Sequence, residues 1–164
     1  MTNKMKLEIS ALSVNESFAR SAVAAFALGL NPTLADLSDV KTAVSEAVTN
    51  CVVHAYPTQS EENKIIIECT AESDKDGLCG VLHIKITDNG CGIDDVEQAL
   101  TPFFTSLIED ERSGMGFTIM QTFTDDFSVA SEKGKGTTVT LVKRVGIGSP
   151  SKERIGREKE RLNA

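Results

Sequence analysis

The chain has 164 residues, 40% of them hydrophobic and 25% charged, and its 17 Lys and Arg against 24 Asp and Glu give a net charge of −7. That suits one globular domain burying roughly 70% of its unfolded surface, and it excludes wholesale disorder, a basic nucleic-acid-binding face and, for want of about 18 consecutive apolar residues, a membrane span. Met1 to Lys6 leads into no signal-peptide apolar run, and Cys51, Cys69, Cys79 and Cys91 form no C-x-x-C pair, so a cytoplasmic protein with reduced thiols is expected.

In chain order, Ser13 with Glu16 three residues later fits a capping box, and Phe18, Ala22, Ala25 and Phe26 recur at helical spacing until Gly29. A second helix opens near Thr33, with Asp36 three residues on. Its apolar face is Val40, Ala43, Val44, Ala47, Val48 and Cys51, and it is expected to run to about Ala55, before Pro57. Residues 64–70 and 81–87 read as strands around a polar connection. In the latter, Leu82, Ile84 and Ile86 alternate with His83, Lys85 and Thr87, the pattern of a half-buried strand. A short helix is predicted from Asp94, residues 101–113 are loop-like, and Gly116 to Thr124 is helical with Phe117, Met120 and Phe123 inward. Strands 127–132 and 137–143 flank the turn Lys133 to Gly136.

Strands and helices without strict β-α-β alternation predict an α+β two-layer sandwich, with helices on one face of a mixed sheet. Residues 1–142 carry 10 basic and 21 acidic side chains, a balance of −11, whereas residues 143–164 carry 7 and 3, a balance of +4. The expected organisation is therefore a domain over residues 1–143 and a basic tail over 144–164. The tail reads as a flexible appendage or, alternatively, as a partner-binding basic helix.

Four local patterns carry the chemistry: Glu46-x-x-x-Asn50, Asp88-Asn89-Gly90-Cys91-Gly92, Gly114-Met115-Gly116 and Gly136-Thr137-Thr138. There is no G-x-x-x-x-G-K-[ST], no G-x-G-x-x-G, and no protein-kinase H-R-D or D-F-G motif. Glu46 and Asn50 lie four apart and share one helix face. They are either a solvated helix side or a carboxylate and amide oxygen that hold a metal and accept a proton. Asp88 ends a strand before two glycines. It either makes a tight turn or accepts hydrogen bonds from a base amino group while Gly90 and Gly92 let a flat ring approach. Gly114 and Gly116 precede a helix, giving either a hinge or a phosphate site at the helix N-terminus, with Arg112 beside it.

In this order, the patterns resemble the GHKL superfamily, which includes gyrase, histidine kinases and MutL. Within it, Asn15-Glu16-Ser17-Phe18-Ala19-Arg20, Val44 to Asn50 and Arg112-Ser113-Gly114-Met115-Gly116-Phe117-Thr118-Ile119-Met120 resemble the anti-sigma F factor family of serine protein kinases. The resemblance spans roughly residues 5–143 and implies an ATP-binding sandwich of the Bergerat type. Glu46 is then the catalytic base, Asn50 the Mg²⁺ ligand, and Asp88 the adenine-reading carboxylate, supported by Thr137 through water. Gly90, Gly92, Gly114, Gly116 and Phe117 border the nucleotide and its lid, formed by residues about 95–113. Leu107 stands where relatives often have lysine, which shifts phosphate contact to Arg112. His54 reads as a structural helix cap.

The implied activity is transfer of the ATP γ-phosphate to a serine of an anti-anti-sigma factor, with ADP as product, by a homodimer that inhibits a sigma-F-like factor. Arg20 and Glu16 would contact partners, though they can equally form an i,i+4 pair. The alternatives are a non-enzymatic ATP-dependent sigma-sequestering module and a stress-response anti-sigma kinase of the same superfamily.

Overall fold

The computed structural model describes residues 1–102 and 114–147. Arg112, Leu107, most of the expected lid and nearly all of the tail lie outside the described residues. The strands are β1 (Thr2–Ser10), β2 (Lys64–Ser73), β3 (Cys79–Asp88), β4 (Asp126–Glu132) and β5 (Gly136–Gly146); the helices are α1 (Asn15–Ala27), α2 (Leu34–Asn50), α3 (Val96–Ala99) and α4 (Gly116–Phe123). The five strands form one sheet in the order β1-β2-β3-β5-β4.

This is the expected α+β two-layer class, but the sheet is not mixed. All four pairings are antiparallel. The β2–β3 and β4–β5 connections are hairpins; from β3 the chain passes through α3 and α4 into β4, which runs in the same direction as β3, and the β4–β5 hairpin then lays β5 antiparallel between them.

The first strand is absent from the sequence-based expectation. Met5, Leu7 and Ile9 are half-buried and alternate with the exposed Lys4, Lys6 and Glu8, a period of two that three charged residues had obscured. At the other end, β5 runs past the expected domain boundary at residue 143. Arg144 pairs with Val81, and Val145 is fully buried.

Helix α1 differs from its expected face. Its buried residues are Ala19, Val23, Ala24 and Ala27, whereas Phe18 is 53% exposed and Ala25 is also outside. The small residues let α1 lie close against α2, which a row of phenylalanines would prevent. The Ser13–Glu16 capping box does not form. Ser13 contributes only its backbone carbonyl to Glu16 N–H, and the Glu16 carboxylate accepts a bond from Ser45 Oγ.

The α2 expectation holds residue by residue. Thr33 accepts from Asp36 N–H at 3.1 Å, Asp36 accepts from Thr33 N–H at 2.9 Å, and Val40, Ala43, Val44, Ala47 and Val48 are buried. Thr33→Ala should lower stability by about 1 kcal/mol in denaturant titration, through loss of one capped donor. Asp36 also accepts from Gly146 N–H at 3.1 Å, and Lys143 pairs with Asp39 at 2.6 Å. The start of α2 is thereby tied to the end of β5.

Beneath α2 lie Ile65, Ile67, Leu82, Ile84, Ile86, Val139 and Leu141, each almost wholly removed from water. Past Asn50 the helix widens into a π turn over Cys51–Ala55. α4 packs beside α2 and is fastened to the sheet by Met120, which is fully buried, and by Phe117, whose ring centroid is 5.9 Å from that of Phe127.

Candidate functional site

α2, its π turn, the loop after β3, α3, the start of α4 and the start of β5 enclose a cleft of about 810 Å³. A cavity of that size accommodates a nucleotide-sized ligand. The four sequence patterns, scattered over about ninety residues, meet here: Glu46, Asn50, Asp88, Gly92, Gly114, Gly116, Phe117 and Thr137 all line it.

At one end, Glu46 and Asn50 project from α2 toward the first turn of α4. A Cβ built on Gly116 would stand 3.3 Å from both Glu46 Oε2 and Asn50 Oδ1. A carboxylate and a carboxamide oxygen thus border the N-terminus of α4 with no side chain from residue 116 between them. The N-cap residue Met115 makes no side-chain cap bond, and a helix N-terminus of this kind suits an anion. The oxygen pair fits Mg²⁺, which takes one or two protein oxygens and completes its shell with water and substrate phosphates. Among the described residues no group of three or more His, Cys, Asp or Glu could hold a metal by itself.

At the other end, Asp88 is only 4% exposed. Its Oδ1 accepts from Gly90 N–H at 2.9 Å and from Thr137 N–H at 3.2 Å, and its Oδ2 lies 3.6 Å from Cys51 Sγ, which donates. Burial pushes the carboxyl above its usual range, and the three donors oppose that shift. Burial also raises the Cys51 thiol, helped by the neighbouring Asp88 charge, so Cys51 stays a protonated donor. A charge held in place among donors, bordering a cleft, suits recognition of a ligand N–H.

The loop after Asp88 is clamped from two sides. Cys91 N–H donates to Ala55 O at 2.7 Å, and Cys91 O accepts from Gly134 N–H at 2.7 Å. Gly90 therefore differs from its expected role. It does not line the cleft; a Cβ there would stand 2.1 Å from Ala55 O, so the residue is glycine to let the loop dock on the π turn. Gly136 is similar, with φ of +91° and a would-be Cβ 2.1 Å from Asp88 O. Gly136→Ala should cost about 3 kcal/mol or more and appear as a lowered Tm, because backbone must move to admit the methyl group.

Glu16 and Arg20 lie on α1 and are not part of the cleft. They form the i,i+4 pair at 3.3 Å, with Arg20 42% exposed. His54 lines the cleft at its outer edge, and its carbonyl accepts from Cys91 Sγ at 3.3 Å. Cys51 and Ser131 are the site residues that sequence reasoning missed. Cys51 reads as one more apolar position on α2, and Ser131 as an ordinary strand serine.

Residues 9–143 match the histidine kinase-like ATPase domain family. An anti-sigma F factor of Caldanaerobacter subterraneus subsp. tengcongensis is 52% identical, over 88% of this chain and 95% of its own length. The chain belongs to the anti-sigma F factor family. Another relative of that name, from Clostridium beijerinckii, is 48% identical over 90% of this chain and 98% of its own. Among solved structures, the RsbU and RsbW domains of a Mycobacterium tuberculosis protein superpose with a TM-score of 0.62 at 17% identity, over 88% of this chain and 33% of that one. At that identity the likeness concerns the fold alone, and it agrees with the sandwich described above. As in the family, nucleotide binding belongs to the domain, and among the described residues no helix is long and apolar enough to cross a membrane.

Proposed function

We propose that the protein is an anti-sigma factor and ATP-dependent serine kinase. It holds a sigma-F-like factor inactive and phosphorylates a serine of an anti-anti-sigma factor. The observation that carries this reading is the convergence of Glu46 and Asn50 on the N-terminus of α4, with the buried carboxylate of Asp88 in the same cleft. One end suits a phosphate chain and the other a base.

In this reading Asp88 accepts from the adenine amino group, and Thr137 supports it. The triphosphate runs toward Gly114, Met115 and Gly116, where backbone N–H groups receive it, and Asn50 holds Mg²⁺. An Mg²⁺ ion held by Asn50 would supply positive charge against the phosphates. Glu46 takes the proton of the incoming serine hydroxyl as its oxygen attacks the γ-phosphorus. The bond from that phosphorus to the β,γ-bridging oxygen breaks, and ADP leaves with the electron pair. Positioning and charge stabilisation supply most of the acceleration. The family resemblance gives the positive charge of Arg112 to the terminal phosphate. Arg20 and Glu16, outside the cleft, serve partner contact, and the active species is a cytoplasmic homodimer.

The test is incubation with γ-labelled ATP and a candidate anti-anti-sigma protein, alongside capture from a sporulating culture with ATP and then ADP. Label on a substrate serine, sigma factor recovered with ATP and anti-anti-sigma protein with ADP are expected. Sigma capture without transfer would leave a non-enzymatic sequestering module. Capture of a general stress sigma factor would move the clients to stress response.

A further inference from the structure

The sheet has a second end, away from the cleft. Asp88 pairs with Thr137 at the cleft, and Cys79 pairs with Gly146 at the other end of the same two strands. At that other end Ser73 N–H donates to Met1 O at 3.0 Å, and Ile147 N–H donates to Leu78 O at 3.1 Å. The turn Leu28–Leu30 and the start of α2 are tied to it as well. Asn31 Nδ2 donates to Gly77 O at 2.5 Å, and Asp36 accepts from Gly146 N–H at 3.1 Å. Met1, Leu28, Leu34, Leu78 and Ile147 are each more than half exposed, five of the seven large apolar side chains so exposed among the described residues. Apolar groups gathered in this way mark an interaction surface rather than ordinary scatter.

The basic tail leaves from inside this patch, at Ile147, and lies beyond residue 143, where the family match ends. Over residues 148–164 its large apolar side chains are Ile155 and Leu162. They are seven residues apart, which in a helix places both on one face about 10 Å from each other. Glu153 precedes Arg157 by four, a favourable helical pair, and Gly148-Ser149-Pro150-Ser151 is a turn-forming connector. From β1 to β5 the patch edge crosses three strand spacings, about 14 Å, which matches two side chains at that separation.

Charge agrees with shape. The segments around the patch carry Asp36, Asp39, Glu72, Asp74 and Asp76 against Lys75, Lys143 and the amino group of Met1. Residues 148–164 carry Lys152, Arg154, Arg157, Lys159 and Arg161 against Glu153, Glu158 and Glu160. An acidic rim thus faces a basic segment. A four-residue connector also gives the tail an effective concentration on the order of millimolar at the patch, which any other occupant must overcome.

We infer that residues 148–164 fold back as a short helix that lays Ile155 and Leu162 on this patch, an intramolecular cover at the end of the sheet opposite the cleft. A helix of this length is marginal alone, so its order depends on the surface that receives it. Removing either side of the contact releases the tail.

The experiment is timed trypsin digestion of the full chain at low protein concentration, with mass spectrometry following the cut after Arg154. Cleavage of a segment that opens and closes rapidly reports the population of its open form. Leu78→Asp on the patch and Leu162→Ser in the tail should each speed that cut by about tenfold, the weight of one buried leucine. The double variant should be no faster than either single one, because both break the same contact. Leu34→Asp gives the same acceleration and serves if Leu78→Asp does not fold, since an acidic residue suits the first turn of α2. Val14→Asp, at an exposed apolar residue beside α1, should leave the rate unchanged. Equal rates in wild type, Leu78→Asp and Leu162→Ser overturn the inference, as does equal acceleration in Val14→Asp. Protection that grows with protein concentration places the tail on a second copy instead, and protection seen only with anionic lipid vesicles places it on a membrane. Either result overturns the intramolecular contact.

Discussion

Asp88→Asn should abolish useful nucleotide binding while leaving the fold intact, a loss of about 100-fold or more in affinity by calorimetry. The amide oxygen can still accept from Gly90 and Thr137 N–H, so the loop stays anchored. What changes is the group beside Cys51, where a charged acceptor becomes an NH₂ donor. That donor can meet only the weak acceptor of the Cys51 sulfur and opposes the ligand's N–H, while the flipped amide would set its NH₂ against Gly90 and Thr137 N–H.

The effect on stability has the opposite sign. Burial raises the Asp88 carboxyl above its ordinary value, so the unfolded chain ionises it at lower pH than the folded one. Between those two values stability falls as pH rises, and the asparagine removes that penalty. Thermal melting near neutral pH should therefore show a Tm that is unchanged or higher in the variant. Wild-type affinity for ATP in Asp88→Asn would remove the residue from the binding reading. A collapse in Tm would instead make it a structural anchor.

Glu46→Gln should keep ATP binding and lose phosphotransfer, by about 10²- to 10⁴-fold, the usual weight of a positioned general base. The side chain borders the N-terminus of α4 without belonging to the base end of the cleft, and glutamine has the same shape. Single-turnover transfer to the substrate protein is the measurement that isolates this step. Undiminished transfer would place the base elsewhere. Loss of both binding and transfer would make Glu46 part of the phosphate site rather than the base.

Much of the fold could be read along the chain because its signals are local. Thr33 and Asp36 are three residues apart and cap α2 as their spacing requires, and Leu82, Ile84 and Ile86 announce a strand with one dry face. The failures are equally physical. Charged residues alternating with Met5, Leu7 and Ile9 concealed an edge strand whose dry face is only half covered. On α1, hydrophobicity pointed to Phe18, but close helix packing selects residues for size, and Ala19, Val23 and Ala27 face inward instead.

By itself the sequence determined the α+β class, the capped α2 with Glu46 and Asn50 on one side, and the four motifs whose order implies a nucleotide. It also carried the −11 domain and the +4 tail behind a single net charge of −7. The class, the capped helix and the charge split follow from periodicity, spacing and composition, and the nucleotide from the family resemblance; none of these needs knowledge of what lies across the molecule. Only the tertiary structure decided what each motif residue touches. It turned Gly90 away from the cleft toward Ala55, put Cys51 against Asp88, paired Arg20 with Glu16 on a separate helix, and gave Ser131 a place among Ile93, Gly136 and Thr137. Hydrogen-bond partners and close approaches between segments dozens of residues apart have no period along the chain, so their assignment waits until the segments meet.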